Sequence, residues 1–218
     1  MPVTNDSIKD ETAWLDELAP IVVQNNTIDP RWYERYDVKR GLRNENGSGV
    51  LVGLTGIGDV HGYVIDEREK VPVEGRLRYR SVDVSDIVAG CKADGRFGFE
   101  EVCYLLLFGQ LPTTRQLENF ENMLGAHRQL PNGFTEDMIL AAPSKNIMNK
   151  LARSTLALYS YDETPDDTSV RNVLRQSMEL IARFPTMAAY GYQAKSHYHG
   201  SESLFIHTPL PDKSAAEN

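Results

Sequence analysis

The sequence predicts a mainly α-helical protein with a small β-hairpin or short sheet near residues 50–80. Apolar residues recur at helical spacing on both sides of this region, whereas inside it they alternate with the period of a strand. The 218 residues, 41% of them apolar and 25% charged, are typical of a globular protein that buries its own core. No run of about 18 apolar residues occurs, so the sequence predicts no membrane-spanning helix.

The charge balance and the cysteine count limit the partners and the compartment. The chain has 31 acidic against 23 basic residues, a net charge of −8 that would repel a phosphate backbone, so we predict no nucleic-acid partner. Cys91 and Cys103 are too few for a zinc ribbon, and we expect both to be buried structural thiols. Met1–Asp10 has neither a basic nor an apolar stretch of a signal peptide, which favours the cytoplasm.

Two helices are predicted before the strands. Ser7–Asp10 has the S-x-x-D pattern of a capping box, and Pro20 should bend or end the helix that follows. The apolar face of this helix comprises Trp14, Leu15, Leu18, Ile21 and Val22. Asp29-Pro30 combines a helix cap with proline at the first helical position, which predicts a short helix through Tyr36.

The strand-like region is rich in glycine. Its alternating apolar residues are Val50, Val52, Leu54, Val71, Val73, Leu77 and Tyr79. Their arrangement around Glu74-Gly75 predicts a hairpin there. The stretch Gly56–Gly62 has one residue too many for a dinucleotide-binding G-x-G-x-x-G loop, and no helical pattern follows it, so we expect no nucleotide between Gly53 and Gly62.

Helical patterns fill the chain after Ser81. A short helix is predicted from Ser85 to Ala89 with Gly90 as its end. Phe99–Phe108 is almost wholly apolar, which favours a buried helix that ends at Gly109. Thr113–Gln116 has the T-x-x-Q pattern of a capping box at the start of the next helix.

The last third of the chain predicts a turn, two helices and an acidic loop. Pro131–Gly133 is a turn sequence, and Ser144 opens a helix whose face includes Leu151. Residues 161–167 form an acidic loop, after which Thr168 caps a long helix that Pro185 should kink. No internal repeat or flexible linker divides the chain.

Three groups of residues are candidate sites. His197 and His199, with His207 and Glu202 nearby, could ligate zinc if the first two lay on one strand face; a solvated loop is the alternative. Three alternating arginines could form an anion site or a solvated strand face: Arg76, Arg78 and Arg80. His61 and His127 are expected at the surface or at a helix cap. Signature motifs of serine hydrolases, zinc proteases, P-loops and EF-hands are missing from the sequence.

Three longer strings resemble the citrate synthase family. Residues 79–87 (YRSVDVSDI) look like its YRGYDIEDL, 99–113 (FEEVCYLLLFGQLPT) are similar to its FEEVAYLLLYGELPT, and 180–190 (LIARFPTMAAY) resemble its LIAKMPTIAAY. Gly41-Leu42-Arg43 and residues 212–218 extend the resemblance over about residues 40–218. Ser81 replaces the family's usual glycine and Val82 its tyrosine, which puts the backbone of that turn in question.

The resemblance implies a multi-helical, citrate synthase-like large-domain portion and a reaction. The family condenses acetyl-CoA with oxaloacetate to citrate and CoA without a metal or other cofactor, by acid–base catalysis in a cleft that domain motion closes. The family's first catalytic residue lies in a His-Glu-Gly run, and this sequence has none. We therefore assign no catalytic, cofactor-binding or metal-binding residue, and expect an N-terminal fragment that is inactive alone.

The resemblance also implies a domain division and a partner. We expect an N-terminal helical segment over 1–40 and part of the large domain over 41–218, with the C-terminal half and the small domain absent. A homodimer is expected through helices near 144–160 and 168–195, whose apolar residues on more than one face include Met148, Leu151, Leu156 and Met178. The alternatives are a 2-methylcitrate synthase-like enzyme, a non-catalytic helical dimerisation module and a histidine-based metal module.

Overall fold

The protein is described from a computed structural model that defines residues 5–38, 53–67 and 69–218, with side chains from residue 11 onward. Gly41-Leu42-Arg43, Val50, Val52, the predicted boundary after residue 40 and the side chains of Ser7–Asp10 lie outside the described residues. Within them, the helices are α1 (Asn5–Asn26), α2 (Arg31–Arg35), α3 (Val84–Ala93), α4 (Phe99–Phe108), α5 (Thr114–His127), a π-helix (Thr135–Leu140), α6 (Ile147–Leu158), a 3₁₀ turn (Tyr159–Tyr161) and α7 (Val170–Gly200). The strands are β1 (Gly58–Asp66), β2 (Glu69–Tyr79) and β3 (Val82–Asp83).

This element list confirms the mainly α-helical prediction with strands confined to one region. The chain divides into two compact units, one formed by Met1–Ala19 with Thr113–Asn218 and the other by Pro20–Pro112. None of the described helices is both long enough and apolar enough to cross a bilayer.

The first unit is built around the contact between α6 and α7. One apolar cluster of this unit is formed by Phe134, Ile139, Leu151, Leu158, Met187, Tyr190 and Ala194. The helix α7 has 31 residues and continues past Pro185, and α1 likewise continues six residues past Pro20. The prediction that Pro20 could end its helix is therefore wrong, because buried residues such as Leu18 keep the helix packed on its neighbours.

Several predicted helix ends are confirmed. Gly109 ends α4 with a φ of 76°, in the left-handed region that glycine adopts without a Cβ clash. Thr113 and Gln116 form the predicted reciprocal capping box, with the Gln116 side chain 2.9 Å from the Thr113 amide. The Pro131–Gly133 turn is closed by a hydrogen bond from the Phe134 amide to the Pro131 carbonyl.

Other helix starts lie one to three residues from their predicted positions. Asn146, and not Ser144, caps α6, while the Ser144 hydroxyl accepts from the Asn146 amide. Ser169 caps α7 in place of Thr168. Asp83 caps α3, which then runs through Gly90 to Ala93, so the predicted Ser85 start and Gly90 end are wrong. In each case a neighbouring Asn, Ser or Asp side chain competes for the same free amides.

The second unit contains a three-stranded antiparallel sheet in the order β1–β2–β3. Leu54 lies outside its strands, and β1 and β2 are joined at Glu67, whose φ is 45°. The predicted hairpin turn at Glu74-Gly75 is therefore wrong. These two residues lie inside β2, where the register shifts between His61↔Arg76 and Tyr63↔Pro72 and leaves extra residues on β2. A bulge and a turn share the same glycine signal.

A second tight connection leads from β2 to β3. Tyr79 pairs with Val82, so Arg80 and Ser81 are the only two residues of the loop, and both have positive φ, 48° and 71°. Two positive φ values are the pattern of a type I′ turn. Ser81 thus adopts a left-handed backbone although it carries a Cβ.

Candidate functional site

A polar network beside the acidic loop lines a cavity of about 330 Å³ in the first unit. Arg175 Nη2 lies 2.7 and 2.8 Å from the two carboxylate oxygens of Asp162, and its Nη1 lies 2.6 Å from Glu179. Glu179 is also bonded by Arg183, and Gln176 donates to Asp162. The network joins α7 to the loop that follows α6.

The carboxylate of this network is held in its charged form. Burial would raise the pKa of Asp162, but hydrogen bonds from the Thr164 amide, Gln176 and Arg175 outweigh burial and hold that pKa below its usual value. A carboxylate this well bonded is a weak base. The network can therefore fix the loop geometry, and nothing in it resembles an activated nucleophile.

The histidine group does not form a metal site. His197 and His199 lie in the last turns of α7, which corrects the expectation of a solvated loop. Residues two apart on a helix point in nearly opposite directions, so these two imidazoles cannot bind one ion. His197 Nδ1 lies 2.7 Å from the Glu202 carbonyl, and no group of three metal-ligating side chains occurs in the part of the chain that the structure describes.

The three alternating arginines have three different environments. Arg76 is exposed and lies 3.6 Å from Asp83, and Arg78 is opposite Asp59 in the hairpin. Arg80 is turned toward the protein, where it donates to the Asn25 and Leu106 carbonyls. The arginines therefore form neither a shared anion site nor one solvated face.

Gly58–Gly62 lies in β1, and a second strand follows it, so these residues lack the strand–loop–helix arrangement that holds a dinucleotide. His61 is exposed on the same strand, as expected. His127 lies in the last turn of α5, with its Nε2 3.3 Å from Glu11.

Both thiols are held in the neutral form. Cys91 is buried and its Sγ lies 3.4 Å from Glu101, while burial first and this hydrogen bond second raise the thiol pKa. Desolvation raises the pKa of the half-buried Cys103 to about 11. Neither is a reactive thiolate at neutral pH, in keeping with a structural role.

The helices predicted to form an interface expose part of their apolar surface. Met148 and Leu156 on α6 are 77% and 76% exposed. Both are among the residues predicted at the interface. Leu151 and Met178, also predicted there, are 8% and 3% exposed and belong to the core of the chain. Helical spacing identified both faces of α6 but could not tell which one faces inward.

Sequence reasoning missed two buried cations. Lys150 is 2% exposed and its Nζ donates to the Met138 and Ala142 carbonyls at the end of the π-helix. Arg128, also 2% exposed, donates to the Leu210 and Lys213 carbonyls and so holds the C-terminal segment. Lys150 does share a helical face with Leu151, Ser154 and Leu158, and this spacing was the available signal.

Comparison with known sequences gives one family. Residues 46–218 match the family described as "Citrate synthase, C-terminal domain". The chain is 31% identical over 159 residues to a citrate synthase of Haloferax volcanii and 29% identical over 160 residues to 2-methylcitrate synthase 1 of Corynebacterium glutamicum. These matches cover 71% and 73% of the chain but 36% of each relative, so the chain spans about a third of their length.

Solved structures with a similar fold are also citrate synthases. The citrate synthase crystal structure from Pyrobaculum aerophilum superposes with a TM-score of 0.60 at 26% identity, over 82% of this chain and 44% of that one. A citrate synthase from Thermoplasma acidophilum, at 20% identity and a TM-score of 0.57, shares the fold.

Proposed function

Because the chain belongs to the citrate synthase family, we propose that it supplies helical scaffold to an enzyme that condenses acetyl-CoA with oxaloacetate to citrate and CoA. The observation that carries the proposal is the family match over residues 46–218. The confirmed left-handed Gly109 and the Thr113 capping box support it, because both lie in the longest of the strings that resemble the family. The proposed chemistry uses acid–base catalysis with no metal or other cofactor.

We infer that this polypeptide alone does not catalyse the condensation. The sequence lacks the His-Glu-Gly run, and the charged network around Asp162 consists of paired groups with no free base. Incubation with acetyl-CoA and oxaloacetate should release no CoA thiol above the uncatalysed rate, measured with a thiol-reactive dye. Enzymatic thiol release that is lost on heat denaturation of the chain would contradict the inference.

A 2-methylcitrate synthase activity is the second candidate, and the sequence similarities support it. The relatives include citrate synthases and 2-methylcitrate synthases at similar identity, 31% and 29–30%. An enzyme of the second kind would prefer propionyl-CoA. Comparing the two acyl-CoA substrates on the protein encoded by the complete reading frame decides between them. A frame without a His-Glu-Gly run would instead favour a non-catalytic helical module.

We also propose a homodimer in the cytoplasm. The exposed faces of α6 and α7 supply apolar surface for a second copy of the chain, including Met148, Leu156, Val173 and Phe184. Contiguous exposed apolar surface is typical of interfaces. The two free cysteines, unpaired as intracellular proteins keep them, support the compartment.

A further inference from the structure

A second cavity, of about 500 Å³, lies within the Pro20–Pro112 unit between the end of α1, α2 and the Arg80–Ser81 turn. Its walls are of two kinds. One side is aromatic and aliphatic, with Trp32, Tyr36 and Ile57 each 43–49% exposed. The other side carries the neutral polar groups of Asn26 and Thr55 next to the Arg80 guanidinium.

Arg80 gives this cavity a positive charge. Among the described residues that line it, Arg80 carries the sole formal charge, and no Asp or Glu is present. Its four side-chain hydrogen bonds are with neutral oxygens. Nη1 lies 3.0 Å from the Asn25 carbonyl, and Nη2 lies 2.9 Å from the Leu106 carbonyl and 2.5 Å from Asn26 Oδ1, while Nε lies 3.3 Å from the same Leu106 carbonyl. These bonds fix the guanidinium in place and leave one of its five N–H groups without a described acceptor.

The backbone that carries the Arg80 side chain is also held in place. Arg80 sits in the two-residue turn with a φ of 48°, and its amide donates to the Ile57 carbonyl at 2.9 Å. A fixed cation with partial burial attracts an anion more strongly than a solvated one, because less water screens it. A flat apolar group is the natural complement of the opposite wall, which the half-exposed Trp32 side chain lines.

We propose that this cavity binds a small carboxylate with a flat apolar body, its carboxylate at Arg80 and its ring against Trp32. Its volume lies in the range of sites for small organic ligands, which combine apolar walls with a few placed polar groups. The site is independent of the proposed condensation, since none of its residues is assigned a role in that reaction.

Benzoate and its neutral isostere benzamide test the proposal on the intact chain. With Trp14→Phe as the background, Trp32 is the remaining tryptophan, and its emission reports the cavity. We expect a saturable change with benzoate and about tenfold weaker binding of benzamide, the ratio that one favourable charge contact gives. Equal binding of the two probes, or no saturable change with benzoate, would overturn the proposal.

Two variants locate the charge. Arg80→Gln should reduce the ratio of benzoate affinity to benzamide affinity to about one. The matched control Arg78→Gln changes a residue that does not line the cavity and should leave this ratio unchanged.

If Arg80→Gln fails to fold, Ile57→Asp serves instead, because the half-exposed side chain can be replaced without disturbing the core. The carboxylate of an aspartate at position 57 should reverse the charge preference, so that the cation benzamidinium binds more tightly than benzoate. A ratio that neither variant changes would contradict the assignment.

Discussion

At the scale of single residues, the turn between β2 and β3 is strained and still well defined. A left-handed conformation costs a residue with a Cβ about 1–2 kcal/mol, and both Arg80 and Ser81 adopt it. The Arg80 guanidinium offsets part of this cost by bonding the last carbonyls of α1 and α4, where the helix dipoles favour a cation. Ser81 has no comparable compensation among the described contacts.

Ser81→Gly should therefore stabilise the chain. Glycine relieves the left-handed strain but adds entropy to the unfolded chain, which leaves a net gain of about 0.5–1 kcal/mol in the free energy of unfolding. Urea denaturation with an unchanged m-value measures it. Ser81→Ala is the control, since alanine keeps the Cβ and should give no gain. A glycine variant no more stable than the alanine variant would show that the turn is unstrained.

Lys150 is a structural cation whose loss should be costly. Lys150→Met keeps the apolar stem but removes the donor to the Met138 and Ala142 carbonyls, so we expect a loss of about 1–3 kcal/mol in the free energy of unfolding. Chemical denaturation of this variant and of the exposed-site control Lys145→Met gives the comparison. Equal stability of the two variants would mean that the buried ammonium contributes nothing.

At the scale of elements, α1 is fastened to α5 and α7 by a pH-dependent contact. His127 lies 3.3 Å from Glu11, and its hydrogen bond is the main reason that the pKa of Glu11 is lowered. Arg171, which bonds Asp16, and Arg175 add smaller attractions. Since the folded pKa lies below the unfolded one, the contribution is present above pH 4.5 and is lost as the pH falls through the folded value.

Glu11→Gln should remove this part of the acid sensitivity. Between pH 6 and pH 3 the parent chain should lose up to about 1 kcal/mol more unfolding free energy than the variant. The measurement is urea denaturation at both pH values. Glu17→Gln, at an exposed position of the same helix with no described ion pair, controls for the removal of a carboxylate alone. A parent chain and Glu11→Gln variant with parallel pH profiles would contradict the assignment.

Elements were predictable where a local signal had one structural meaning. The Thr113 capping box and Gly109 fulfil their predicted roles because each satisfies free groups at a helix end within a few residues. The hairpin turn predicted at Glu74-Gly75 is wrong because this glycine lies in a bulge. The bulge depends on how β2 pairs with β1 around Gly62, which the local sequence does not show. Pro20 failed to end its helix because burial of its neighbours outweighs the missing hydrogen bond.

The functional surfaces were less predictable for a related reason. Which face of α6 points inward depends on its packing against α7, so the spacing within α6 predicts both the exposed Leu156 and the buried Leu151 at the interface. The cavity at Arg80 brings together α1, α2 and a strand turn, whose residues share no local pattern. Tertiary placement of this kind is not encoded in the spacing of residues along one element.

At the scale of the whole molecule, the exposed face of α6 predicts self-association. The double variant Met148→Glu, Leu156→Glu should raise the dimer dissociation constant at least about 100-fold, because burying each apolar side chain contributes about 1.5–3 kcal/mol and a twofold interface buries each twice. Sedimentation at micromolar concentrations measures the change.

Val60→Glu is the matched control, at a position 82% exposed on β1 and outside both helices. It should leave the dimer intact. A parent chain that sediments as a monomer, or a double variant that stays dimeric, would show that this face does not join two copies.

The first unit is formed by two separate stretches of the chain, and this affects folding during synthesis. The Asp16–Arg171 contact joins residues 155 positions apart, so α1 leaves the ribosome well before its partners. At about 5–20 residues per second, that delay is roughly 8–30 seconds. The hairpin of β1 and β2 is held by local contacts and can form during this delay. Nascent chains stalled before α7 should therefore present Leu15 and Leu18 to chaperones, and those stalled after it should not.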